Sequence, residues 1–169
     1  EGADPDVNPR AELARMLTED IQFGRATVNL VWGRLMTVPF VAPYDGFDMA
    51  RLDPENPPPA PWTIQPTNPD LLDALAREFM SNDTSVQHLI KTIMKSSAYQ
   101  LSSRFPGEWD EAYTPYYARK YVRLLRGPEI IDAITRATDR PQEYNFGGGR
   151  VDRVLALASP SDVGRRGDY

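Results

Sequence analysis

Sixteen prolines are spread through this chain of 169 residues. Each removes an N–H donor and fixes φ, which bars it from the interior of a helix or a central strand. Six fall between Leu52 and Pro66, where Pro57, Pro58 and Pro59 favour polyproline II. Two others follow asparagine, in Asn8-Pro9 and Asn68-Pro69. There the asparagine side chain can cap free N–H groups, and proline takes a first helical position that needs no donor. The pattern predicts short helices separated by long, stiffened loops.

Apolar spacing supplies the helices. After Asn8-Pro9 come Leu13, Ala14 and Leu17, and Thr18 to Asp20 offers a break with a fresh cap at Asp20. A second helix runs to Met36, with Ile21, Gly24, Val28, Val31, Trp32 and Leu35 on one wide face. Residues 37–66 form a long connection whose aromatics (Tyr44, Phe47, Trp62) imply that it lies on the body of the protein. Leu71, Leu72, Leu75 and Phe79 mark a third helix ending near Asn82, and Val86, Leu89, Ile90, Ile93 and Met94 a fourth. Residues 101–113 are irregular, and Thr114-Pro115 opens a segment that is either helical or extended. Gly127-Pro128-Glu129 starts a helix bearing Ile130, Ile131, Ile134 and Ala137. Gly147 to Gly149 reads as a flexible link to 151–158, whose type the pattern leaves open. The expectation is an all-α protein: an irregular bundle of five to six short helices, one domain over 9–158, with a polar tail at 159–169. Starting at Glu1 without methionine, the chain reads as a piece of something longer.

Several chemistries are excluded. There is no cysteine, so no disulfide framework, thiolate metal site or catalytic thiol. A single histidine, His88, rules out a multi-histidine metal site within one chain. No apolar run approaches the ~20 residues of a membrane span, and a net charge of −5 with pI near 4.9 argues against general nucleic-acid binding. No cofactor and no metal is expected. The charge is uneven: residues 1–100 carry 14 acids and 8 bases, residues 101–169 carry 10 and 11.

The most distinctive stretch is Tyr113 to Arg126, which holds four tyrosines, three arginines and a lysine without one acid. If it is helical, Arg119, Arg123 and Arg126 share a face just ahead of the N–H groups of the next helix. With Tyr117 and Tyr121 they form a candidate anion site for sulfate, phosphate or a uronic sugar. The plainer alternative is structural, these arginines pairing with the acidic N-terminal part. The carboxylate pairs Asp70/Asp73 and Glu129/Asp132 sit i, i+3 in first helical turns, where they complement the helix dipole without any ligand. His88 falls on a polar helix flank beside Lys91 and Lys95, with no Gly-x-Ser-x-Gly elbow to suggest a triad. Asp45, Asp48, Asp53 and Glu55 lack the order of a calcium loop and read as solvated acids. Gly147 to Arg150 lacks the Gly-Lys-Ser/Thr ending of a phosphate loop. Asn29 and Trp32 share a helix flank, as a buried indole needing a partner would explain.

Several segments together resemble one family. Arg10 to Thr18 with Arg25 to Trp32 is similar to its R-x-x-L-A-x-x-L-T … A-R-x-x-V-N-R-x-W opening. Asn68 to Phe79 resembles N/H-P-E-L-L-D-x-L-A-x-x-F, and His88 to Ser103 resembles H-L-I-R-T-I-x-x-S-x-x-Y-Q-L-S-S. Tyr117 to Asp139 is similar to Y-x-R-x-Y-x-R-R-L-x-x-E-x-x-x-D-A-I-x-x-x-T. The family is the planctomycete-type domain of unknown function found C-terminal to cytochrome-c-like domains in large bacterial envelope proteins. The chain departs from it at Met36 to Val41, where F-G-R-G-L-V loses both glycines and its arginine, and at Leu124, which replaces the second of two paired arginines. The resemblance implies a helical module of a periplasmic or otherwise extracytoplasmic protein, with no established activity. Three functions follow as expectations: docking on neighbouring domains of the parent protein, anionic-carbohydrate binding or hydrolysis at the Arg/Tyr cluster, or service to electron transfer with any haem on the cytochrome-like domain.

Overall fold

The caps anticipated from the sequence set the helix boundaries in the computed structural model, which describes residues 8–140, 143–146 and 149–154. Asn8 accepts from Arg10 N and opens α1 (Pro9–Glu19), and Asp20 accepts from Gln22 N and opens α2 (Ile21–Met36). Asn68 caps α3 (Pro69–Ser81), and Ser85 caps α4 (Val86–Lys95). Between α2 and α3 lies the long connection, broken only by a 3-10 turn at Met49–Arg51. A second 3-10 turn spans Glu111–Tyr116, followed by α5 (Gly127–Thr138). Strands β1 (Tyr144–Phe146) and β2 (Gly149–Val151) pair antiparallel, with Tyr144 opposite Val151. The protein is thus an irregular helical bundle with, among the described residues, one hairpin of two three-residue strands. Gly149, expected in a flexible link, is instead the first residue of β2, and Gly147 and Gly148 lie outside the described residues. The expected tail, 159–169, and residues 155–158 lie outside the described residues.

The chain divides into two compact units, residues 1–122 and 123–169. In the first, α2 packs on α3 and α4, and one apolar core joins them. Val28, Trp32 and Met36 enter from α2, Leu72, Ala76 and Phe79 from α3, and Leu89 and Ile93 from α4. Gly24 permits the close approach of α2 to α3: a Cβ there would lie 3.0 Å from Met80 Sδ and 3.2 Å from the Ala76 carbonyl.

The buried face of α2 is rotated from the expected one. Val31 and Leu35 are half-buried, whereas Asn29, Gly33 and Met36 are buried. The reason is the connection, which lies across that side and contributes Phe40 and Val41, both 1 % exposed. Phe40 stacks on Trp32 with ring centroids 4.6 Å apart. Asn29 is fully buried and holds the connection in place: its side-chain amide donates to the carbonyls of Val41 (2.9 Å) and Tyr44 (3.2 Å), and its oxygen accepts from Val41 N (3.0 Å). Asn29 is therefore not the partner of the indole. Among the described residues the Trp32 N–H has no hydrogen-bond acceptor.

The other helices are less covered. Helix α1 buries none of its residues and leaves Leu13 (57 %), Met16 (59 %) and Leu17 (60 %) exposed on one face. In the second unit α5 also buries none, and Asp132, in its second turn rather than its first, accepts from the Val154 backbone N–H at 2.7 Å.

Candidate functional site

Residues 118–126 are not helical, so Arg119, Arg123 and Arg126 share no helix face. Their surroundings differ. Tyr117 ends the 3-10 turn at a left-handed φ of 50° and enters the core edge-on to Trp32, ring centroids 5.1 Å apart. Its hydroxyl donates to the Val38 carbonyl at 3.2 Å, and burial pushes its acidity constant up, keeping it neutral. Tyr117 is thus a core residue rather than a ligand platform.

Lys120 performs a second structural task. Its ammonium donates to the Leu35 carbonyl at 2.7 Å and sits 3.4 Å from the Tyr99 ring centroid. A cation at the last turn of α2 satisfies a carbonyl that has no intrahelical partner and opposes the negative end of the dipole. The backbone N–H of Lys120 also bonds the Ser102 carbonyl, and Thr37 Oγ1 donates to the Tyr121 carbonyl at 3.4 Å. The segment 117–121 is held against the end of α2 at both side-chain and backbone level.

Arg123 and Arg126 converge on Glu129 within the second unit, each at 3.2 Å. The Arg126 backbone N–H completes a capping box with the same carboxylate at 2.9 Å. That backbone bond first, then the Arg123 guanidinium, lowers the Glu129 carboxyl to about 2. Among the described residues these arginines therefore pair with an acid of their own unit, three to six residues away.

Arg119 and Tyr121 do come together, in company that the acid-free stretch did not contain. The Arg119 guanidinium lies 3.9 Å from the Trp109 ring centroid and 5.6 Å from that of Tyr121. Trp109 also meets Phe105 (5.3 Å) and Tyr113 (5.8 Å) edge to face. Its indole N–H donates to Glu111 Oε1 at 3.1 Å. Trp109 was missed because three acids, Glu108, Asp110 and Glu111, interrupt the pattern around it. An aromatic recurrence at 105, 109 and 113 was the available signal.

The remaining candidates are ties between elements. Asp73 forms a two-pronged ion pair from α3 to Arg25 of α2, at 2.7 and 2.8 Å, and that guanidinium holds its carboxyl below the usual range. His88 meets Glu78 at 2.9 Å, joining α4 to α3. A shallow depression passes His88, Lys91 and Lys95, but α4 and its cap supply its whole lining, so nothing encloses a ligand. Among the described residues no group of three or more acidic or histidine side chains is placed to hold a metal ion. No helix among them is long and apolar enough to cross a membrane.

The model of the PSD1 family, a protein family of unknown function (DUF1553), matches residues 9–157. The chain belongs to this family. That span takes in the five α-helices and two strands found among the described residues. No curated protein and no solved structure matches the chain.

Proposed function

We propose that this PSD1 chain is a non-catalytic docking module of a larger extracytoplasmic bacterial protein, and that the rest of that protein covers α1. The observation that carries the reading is the unburied apolar face of α1. Leu13, Met16 and Leu17 lie at i, i+3 and i+4, each more than half exposed. Beside that stripe Arg15 bridges Glu12 and Glu19. An amphipathic helix gains most of its stability by burying its stripe, so an uncovered stripe calls for a partner. Three side chains offer far less than the ~800 Å² per partner of a standard protein complex. They suit a contact made within one chain, where a covalent link removes much of the association cost. The extracytoplasmic location rests on the family resemblance.

The test is Leu13→Glu/Leu17→Glu in both the isolated chain and the parent protein. Two charges on an exposed face leave the melting temperature of the isolated chain unchanged within 2 °C or so, about the size expected of surface changes. In the parent protein the same change opens the junction before α1 to limited proteolysis. Unchanged proteolysis of the parent would refute the docking reading.

A further inference from the structure

Arg119 is a half-buried guanidinium that, among the described residues, has neither an ion pair nor a hydrogen-bond acceptor; its contacts are the Trp109 and Tyr121 rings. A guanidinium stacked on a ring keeps the fork of N–H donors in its plane, ready for a carboxylate. The ring beneath is fixed. Trp109 is wedged against Phe105, Tyr113 and Tyr121 and anchored by its bond to Glu111, whose other oxygen accepts from Thr114 Oγ1 at 3.3 Å. Tyr113 and Tyr116 stand three residues apart on the 3-10 turn, where side chains at i and i+3 eclipse. They are 40 % and 79 % exposed. The cluster thus presents aromatic rings, phenolic hydroxyls and an uncommitted cation from one short segment.

We propose that Arg119, Trp109, Tyr113 and Tyr116 form a binding site for a carboxylated sugar. The guanidinium takes the carboxylate, and the tyrosine rings take the apolar C–H face of the pyranose, whose slightly positive hydrogens suit the negative face of an aromatic ring. Charge selects the carboxylate over sulfate-rich or phosphorylated ligands. Arg123 and Arg126 are engaged by Glu129, and Lys120 by the Leu35 carbonyl. Glu108, Asp110 and Glu111 flank Trp109 in sequence. One available cation among three acids favours a singly charged group. The flat, hydroxyl-bearing surface favours a sugar over an acidic peptide, whose side chains need pockets. This site goes beyond the docking reading and is independent of α1.

The test is isothermal titration of the whole chain with oligogalacturonate, the uncharged galactose oligomer of equal length, a sulfated galactose oligomer and hexaglutamate. Oligogalacturonate binds, the uncharged oligomer binds at least tenfold more weakly, and the sulfated oligomer and hexaglutamate are weaker than oligogalacturonate. Arg119→Met lowers affinity at least tenfold, Arg119→Lys restores only part of it, and Arg123→Ala changes nothing. Tyr116→Ala, at a side chain too exposed to matter for folding, weakens binding three- to fivefold with an unshifted melting temperature. Absence of binding at millimolar oligogalacturonate, or equal binding of the uncharged oligomer, overturns the proposal. So does preference for hexaglutamate or the sulfated oligomer, or indifference to both Arg119→Met and Tyr116→Ala.

Discussion

Replacing Asn29 with leucine is the sharpest test of how this fold holds its long connection. Leucine repeats the branched skeleton of asparagine and is the larger of the two, so no cavity opens, but three hydrogen bonds vanish. The Val41 N–H and carbonyl are left without their Asn29 partner beside a residue only 1 % exposed, whereas the Tyr44 carbonyl belongs to an exposed residue and can turn to water. Each buried backbone group left unpaired costs about 1–3 kcal/mol. Two of them give about 2–6 kcal/mol, a large share of the ~5–15 kcal/mol that holds a typical domain. Urea unfolding followed by tryptophan fluorescence reads this directly, because Trp32 lies one turn away on α2 in the same core. Asn29→Asp supplies a control. It keeps an acceptor for Val41 N but sets a carboxylate against two carbonyls, so its deficit is largest at neutral pH. Protonation restores a donor, and the deficit shrinks as pH falls towards 5. A loss below ~1 kcal/mol for Asn29→Leu would refute the latch, since it would equal one ordinary exposed hydrogen bond.

Further outcomes follow from the same contacts. Lys120→Met removes a charge-assisted bond at the end of α2 and costs about 1.5–3 kcal/mol in urea, with Lys120→Arg recovering part of it. Gly33→Ala drives a Cβ into the Tyr44 ring and to 3.1 Å from Pro39 Cβ, costing about 1–3 kcal/mol; adding Tyr44→Ala relieves much of that cost, a coupling visible in a double-mutant cycle. Asp73 is held below the usual carboxylate range by Arg25, so its contribution is complete above the unfolded value of roughly 4 and is lost as pH falls through the lower folded value. The stability gap between wild type and Asp73→Asn, measured in urea from pH 6 to pH 2, therefore closes at the acid end. Glu129→Gln frees Arg123 and Arg126 and weakens the start of α5, read as lower helicity and faster amide exchange in that helix.

Where a local rule decides structure, the sequence was legible. Asn8-Pro9, Asp20 and Asn68-Pro69 open helices because cap chemistry involves only neighbouring residues. What the pattern could not provide was long-range. The buried side of α2 depends on a loop that returns twelve residues later to bond Asn29. The stretch from 117 to 126 carries helical spacing yet is set by Tyr117 in the core and Lys120 at the end of α2, both tertiary choices that override periodicity. The candidate site was half visible for the same reason. Arg119 and Tyr121 were seen, while Trp109 belongs to an acidic segment that only folding brings under Arg119.

The docking account rests on what covers α1, and amide hydrogen exchange along α1 tests it most directly. In the isolated chain, Arg10 to Glu19 should exchange faster than α2 and α3, because no residue of α1 is buried. In the parent protein the same amides should slow at least tenfold, and Leu13→Glu/Leu17→Glu should abolish that slowing. Identical exchange of α1 in the two contexts would contradict the account.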